Sequence, residues 1–343
     1  MHLFCNLEHI LIYKNSVIIT TQNTKEIIMI GVLKILSWLL LIIVFAIIIF
    51  IVINWEPDRS VNDLKGRWAQ APSQFIDVAG MKIHLRDEGP RDDPTPIVLL
   101  HGTSASLHTW DGWVERLKDE RRVIRFDMPG FGLTGPSPNN DYTMENYTAT
   151  VIAVLDYLNV KSVVLGGNSL GGNVSWNTAV RYPDRVERLV LVDSSGYQFK
   201  PTSIPIGFKI ARIPMMNKLM EKVLPRGIVE DSVKNVYGNP LLVTPELVDR
   251  YFDLTTRTGN RQALAYRLNQ MQPGQFVERL SEIKIPTLIL WGDKDQLIPL
   301  EMGLRFDKDI KNSQLVRFNN LGHVPQEENP TITVAVLKEF LSQ

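Results

Sequence analysis

Ser169 sits in the stretch GGNSLGGN, Gly166 to Asn173, with a short apolar run before it and a helical pattern after it. A serine on a sharp turn from strand to helix lifts its hydroxyl clear of the sheet. Such a turn closes only where the positions two before and two after carry almost no side chain, here Gly167 and Gly171. The turn also aims the first N–H groups of the helix at the place where negative charge develops during attack on a carbonyl. The hydroxyl is a weak nucleophile until an imidazole takes its proton and a carboxylate orients the imidazole. Of the six histidines, His2 and His9 precede an apolar run, His84 reads as a surface strand residue and His108 as a helix start. His323, in NNLGHVPQEENP, falls in a loop after the last strand, where a base reaches back over the sheet edge; its bland alternative is a helix cap. For the acid, LILWGDKDQLIP offers Asp293 and Asp295. Asp295 lies deeper in the loop and is the expected partner, Asp293 suits a turn or cap, and Asp193 after RLVLV is a rival. An oxyanion needs two backbone donors. Leu170 follows Ser169 directly, and Thr103 lies in LLHGTSASLHTW, a loop that His101 is expected to brace by hydrogen bonding. DMPGFGLT reads as a structural turn on the same rim.

These residues need a scaffold, and strand and helix signals alternate in the order that supplies one. QFIDVAGMKIHLRDEG forms two alternating runs about Gly80, a hairpin signature. TPIVLLHG, RVIRFDMPG, KSVVLGG, ERLVLVDSSG, PTLILWGD and QLVRFNN then read as strands. Helical patterns fall near 110–117, across 144–158, after Ser169, briefly after PTLILWGD, and across 332–341. Continuous apolar strands between helices predict an α/β fold, a mostly parallel eight-stranded sheet with helices on both faces, entered by an antiparallel hairpin. Residues 198–283 interrupt this order after the sixth strand and are expected to form a helical cap. Within it, Ile210, Ile213, Met216 and Leu219 fall on one side, and Phe208, Met215 and Met216 are candidates for bilayer contact. Core segments are expected at 74–197 and 284–343.

From Ile35 to Ile53 the chain carries no charge, close to the about 20 apolar residues that cross a hydrocarbon core. A transmembrane helix is expected at 35–53, with Trp38 and Trp55 toward its ends, residues 1–34 as an N-terminal segment and 54–73 as a linker. The stretch Met1 to Ile28 shows no organised pattern, and Met29 is expected to be the native start; N-terminal sequencing that finds Met1 overturns this. NWEPDR after the apolar run holds no small-residue cleavage site, so an uncleaved anchor is expected. Lysines and arginines flank the run too evenly to orient it.

The chain has 343 residues, 44% of them hydrophobic, enough for a sizeable core. Thirty-seven basic residues balance thirty-seven acidic ones, which leaves no field for nucleic acid, and no obligate protein partner is evident. The single cysteine, Cys5, excludes an internal disulfide and a thiolate metal site.

The motifs HG, DMPGFG, GNSLGG, WGDKD-x-x-x-P and GH-x-x-x-x-E-x-P, in this order across about residues 74–342, resemble the α/β-hydrolase family. The resemblance implies Ser169 as nucleophile, His323 as base, Asp295 as its orienting acid, Thr103 and Leu170 as oxyanion donors, and neither cofactor nor metal. A serine at the nucleophile position argues against the branches built on an aspartate there. Three functions follow as expectations. The first is a membrane-anchored carboxylesterase or lipase acting on an ester of a fatty or other apolar acid. The second is a carbon–carbon bond hydrolase of aromatic degradation, which WGDKDQLIPLEMGLRF resembles and HGTSAS does not. The third is a tethered binding protein without turnover, against which a complete triad argues.

Overall fold

The computed structural model describes residues 2–343, which divide into two units, the first ending at Trp55 and the second spanning Glu56–Gln343. In the first, α1 (His2–Ile53) is one continuous helix. No organised pattern was expected before Ile28, yet residues 2–28 contain neither glycine nor proline, so nothing interrupts propagation backward from the apolar run. Val17–Ile53 is long and apolar enough to cross a membrane. Its hydroxyls bond back into the helix, as Ser37 Oγ does to Leu33 O at 2.8 Å, which leaves few unsatisfied polar groups on an apolar rod.

The second unit is built on an eight-stranded sheet: β1 (Gln74–Val78), β2 (Met81–Glu88), β3 (Ile97–Leu100), β4 (Val123–Phe126), β5 (Val163–Asn168), β6 (Val186–Val192), β7 (Thr287–Gly292) and β8 (Ser313–Phe318). Their spatial order is β1-β2-β4-β3-β5-β6-β7-β8. β2 runs antiparallel to both neighbours and every other pairing is parallel. The hairpin closes through Ala79 and Gly80 with φ of 51° and 74°, the two left-handed residues that match strand twist. β3, β5 and β7 are buried along their whole length, which is why they read as unbroken apolar runs.

Helices cover both faces: α3 (Asp111–Leu117) and α13 (Pro330–Leu341) on one, α4 (Met144–Tyr157), α5 (Leu170–Arg181) and α11 (Leu300–Asp309) on the other. Between β6 and β7 lie α6 (Ile206–Ala211), α7 (Pro214–Met220), α8 (Arg226–Val236), α9 (Pro245–Thr255) and α10 (Asn260–Gln270). Leu224, Val229, Val233, Tyr237 and Val248 from this insert form a small core that includes Val324 of the core domain.

Two expectations need correction. Residues 54–73 are not merely a linker: Val61–Trp68 forms α2, capped by the reciprocal Ser60 and Asp63 hydrogen bonds. α2 packs Leu64 against Leu133 and Leu254, while Arg59 and Arg67 pair with Asp253 of α9. The apolar stripe drawn from Ile210 to Leu219 does not run along one helix, because the chain turns at Arg212 and Ile213 before Pro214 starts α7. Met215 and Ile213 are exposed, whereas Phe208 faces inward.

Candidate active site

At the end of β5, Ser169 adopts φ 55° and ψ −114°, a left-handed conformation that costs a non-glycine residue about 1–3 kcal/mol. The surroundings hold it there. Its N–H donates to Val192 O at 3.0 Å, and its carbonyl accepts from Asn173 N and Ser195 N at 3.1 and 3.0 Å. A Cβ on Gly167 would collide with the Gly171 backbone, and one on Gly171 with Leu100 O, so both glycines are demanded by close backbone approach.

His323 lies in the loop between β8 and the short helix α12 (Pro325–Glu328). Its Nδ1 is 2.7 Å from Asp295 Oδ2, and its N–H donates to Val236 O at 2.8 Å. Asp295 Oδ1 accepts from Leu297 N and Ile298 N at 2.8 and 2.9 Å, which fixes the carboxylate. Asp193, the rival acid, ends β6 directly behind this pair. Its Oδ1 accepts from Gly292 N at 3.0 Å, and its Oδ2 has no partner. Burial and the neighbouring Asp295 push the Asp193 carboxyl well above its usual value, which favours its neutral form. Asp293 instead pairs with Arg317 on the surface. Asp193, Asp295 and His323 each bring a potential ligand atom within 4.8 Å of one another, but the oxygens of Asp295 are committed to the imidazole and two amides. A hydrogen-bonded carboxylate–imidazole pair suits this cluster better than a cation.

The Leu170 and Thr103 N–H groups donate to no protein group among the described residues, and both residues border the cavity at Ser169. The Thr103 loop is braced by His101, whose Nδ1 donates to Gly102 O at 2.8 Å while its Nε2 accepts from Met128 N at 2.9 Å. Burial lowers the pKa of His101 and so favours the neutral ring this pattern requires.

Sequence reasoning missed Asn168 and Glu328. Asn168 Nδ2 donates to Val192 O at 3.1 Å and to His323 O at 2.8 Å, tying the serine turn to the histidine loop. Glu328 accepts from Gly322 N at 2.6 Å and from Gly238 N at 2.9 Å, tying that loop to the insert. Both stand inside quoted motifs, Asn168 in GNSLGG and Glu328 in GH-x-x-x-x-E-x-P, and that membership was the only signal of a role.

His84 is corrected from a surface residue to a fully buried one. It stacks on Phe75, places Nδ1 2.7 Å from Asp127 Oδ2 and Nε2 2.9 Å from Ser73 Oγ, because the chain preceding β1 covers this face of β2. Burial opposes ionisation of Asp127, but His84 and the Leu107 and Leu133 N–H groups hold it below the carboxylate range. The connectivity imitates a triad, yet Ser73 Oγ also accepts from Arg86 Nε, and none of the described cavities opens on Ser73. This group fixes the DMPGFGLT turn.

Two chambers meet at Ser169, sharing Thr103, Phe208 and Leu297 in their walls. The smaller, about 160 Å³, is bordered by His323 and by aliphatic residues of the insert such as Leu224, Ile228 and Val233. The larger, about 440 Å³, runs past Leu170 and Asn173 to Tyr142, Arg267 and Gln275.

A doubly covered α/β sheet with a serine on a strained turn after β5 defines a class of hydrolase scaffold. Residues 95–330 match the model of the alpha/beta hydrolase fold, and the chain belongs to the α/β-hydrolase family. It is 32% identical over 283 residues to a 2-hydroxy-6-oxo-2,4-heptadienoate hydrolase of Pseudomonas putida, covering 78% of this chain and 96% of that protein. It is 29% identical over 285 residues, 80% of this chain and 99% of the other, to an uncharacterized hydrolase of Bacillus subtilis. Among solved structures it resembles a meta-cleavage product hydrolase from Pseudomonas fluorescens, with 26% identity, TM-score 0.68, and coverage of 78% and 97% of the two chains. It also resembles a putative lipase from Acinetobacter baumannii, with 25% identity, TM-score 0.69, and coverage of 83% and 96%.

Proposed function

We propose that the protein is a membrane-tethered serine hydrolase that cleaves a small carboxylic ester, the apolar portion of which occupies the smaller chamber. The observation that carries this reading is that Asp295-bound His323 and Ser169 border one largely aliphatic cavity. Ser169 Oγ attacks the ester carbonyl as His323 Nε2 takes its proton, and the oxyanion rests on the N–H groups of Thr103 and Leu170. The tetrahedral intermediate collapses, the departing alkoxide takes the proton from His323, and an acyl-serine remains. Water, losing a proton to His323, attacks that ester, and Ser169 recovers the proton as the acid leaves. Val17–Ile53 serves as the tether.

The test compares the full chain in detergent with Ser169→Ala on p-nitrophenyl esters of increasing acyl length. Hydrolysis abolished by the substitution is expected; hydrolysis that survives it overturns the assignment of Ser169. Carbon–carbon bond hydrolysis is the second reading, favoured by the 32% identity to a dienoate hydrolase. It predicts Ser169-dependent loss of dienolate absorbance with every ester left intact. Inertness toward both substrates favours a non-catalytic binding protein.

A further inference from the structure

Five arginines bury an Nε that has no hydrogen-bond partner: Arg125, Arg181, Arg257, Arg261 and Arg267. In four of them the terminal nitrogens are occupied by Glu88, Glu145, Thr134 O and Asp58 in turn. Arg267 differs. It is 5% exposed, and among the described residues no carboxylate or carbonyl meets its guanidinium. Its neighbour is Tyr147, with the ring centroid at 5.9 Å; the Tyr147 hydroxyl donates to Pro129 O and accepts from Arg267, a neutral partner that leaves the charge without a counter-ion. Glu145, on the same chamber wall, is neutralised by Arg181 at 2.6 Å. A buried, uncompensated guanidinium is costly, and its fork of donors matches a carboxylate. Burial lowers the pKa of Arg267, the direction an anionic partner would reverse.

The larger chamber joins Arg267 to Ser169. We propose that Arg267 receives a carboxylate on the acyl portion of the substrate, bound in this larger chamber. The assignment to the acyl side rests on the nucleophile and base roles proposed above. His323 borders the smaller chamber, and the departing alcohol takes its proton from His323, so the alcohol leaves on that side and the acyl part extends the other way. The substrate is then the half-ester of a dicarboxylic acid with an apolar alcohol. A single carboxylate suits the site better than a phosphate dianion, because the other arginine on this wall, Arg212, is exposed.

The test measures kcat and KM of the full chain for phenyl hydrogen glutarate and for its neutral methyl ester. Wild type is expected to favour the acid by roughly ten- to a hundredfold in kcat/KM, mainly through KM. Arg267→Gln should bring the ratio to about one, and Arg267→Lys, which keeps the charge without the fork, to an intermediate value. A wild-type ratio at or below one overturns the proposal, as does a ratio unchanged in a folded Arg267→Gln protein. Binding of both esters to Ser169→Ala by equilibrium dialysis separates the two readings if wild type cleaves neither. Tighter binding of the acid that disappears when Arg267→Gln is added upholds the anion site while the esterase reading falls. Equal binding of the two esters overturns the anion site.

Discussion

Replacing Asp295 with asparagine is the sharpest probe of the site. The carboxylate makes three hydrogen bonds: Oδ1 with two backbone N–H groups at 2.8 and 2.9 Å, and Oδ2 with His323 Nδ1 at 2.7 Å. An amide has one acceptor oxygen, and the two backbone donors that share Oδ1 hold it in that place. Its NH2 then points at Nδ1, which must become the acceptor, so Nε2 carries the proton and cannot take one from Ser169. An inverted tautomer of this kind lowers kcat by about 10⁴, or about 5.4 kcal/mol of transition-state stabilisation. Stability should change little. One charge-assisted bond is lost, at about 1–3 kcal/mol, while the repulsion that raises the Asp193 pKa is relieved. Ester hydrolysis by Asp295→Asn, measured beside its thermal melting, separates the two effects. A fall in kcat below about tenfold in a protein with unchanged melting would refute the reasoning. It would mean that Asp193, which has a carboxylate oxygen within 4.8 Å of an imidazole nitrogen, moves to orient His323 instead, and adding Asp193→Asn should then remove the remaining activity.

Asp193 supplies a prediction of its own. Its folded pKa is raised above the unfolded value near 3.8, so its favourable contribution is complete below that pH and is lost as pH rises toward the folded value. Asp193→Asn should therefore raise the melting temperature more at pH 8 than at pH 4, and an equal shift at both would contradict a raised Asp193 pKa. Gly171→Ala places a methyl against Leu100 O and should abolish soluble expression or leave less than about 1% of activity; near-normal kcat/KM would show that the turn tolerates a side chain. Glu328→Gln keeps the shape but weakens the bonds to Gly322 and Gly238, so kcat is expected to fall about tenfold with KM little changed, and an unaltered kcat would exclude Glu328 as the support of the His323 loop. Removing residues 1–55 should abolish liposome binding; binding retained by that fragment and lost on Ile213→Ser and Met215→Ser together would assign a bilayer contact to the insert.

What was legible in the sequence is what short-range chemistry dictates. A serine between glycines, an apolar strand before it and a helix after it lie within a dozen residues, so Gly167, Ser169 and Gly171 could be read together. β3, β4, β5 and β7 were legible because burial on both faces writes continuous apolar runs, and β1 and β2 because they alternate about Gly80. The uncharged run at 35–53 was legible for the same reason, since its apolar character needs no partner to be seen. Contacts between distant segments decided the rest. Asp193 follows β6 directly and Asp295 lies three residues past β7, and the sequence offered both as the acid; the packing of the β7 and β8 loops sets Asp295 against His323 and leaves Asp193 behind it. His84 sits in an alternating strand and reads as exposed until the chain before β1 covers that face. α2 lacked an obvious partner until α9, nearly two hundred residues later, presented Asp253 to Arg59 and Arg67. The unpaired charge of Arg267 and the division of the site into two chambers are likewise invisible along the chain. Burial and the absence of a counter-charge are properties of a folded neighbourhood, and a sequence records only what each residue brings to it.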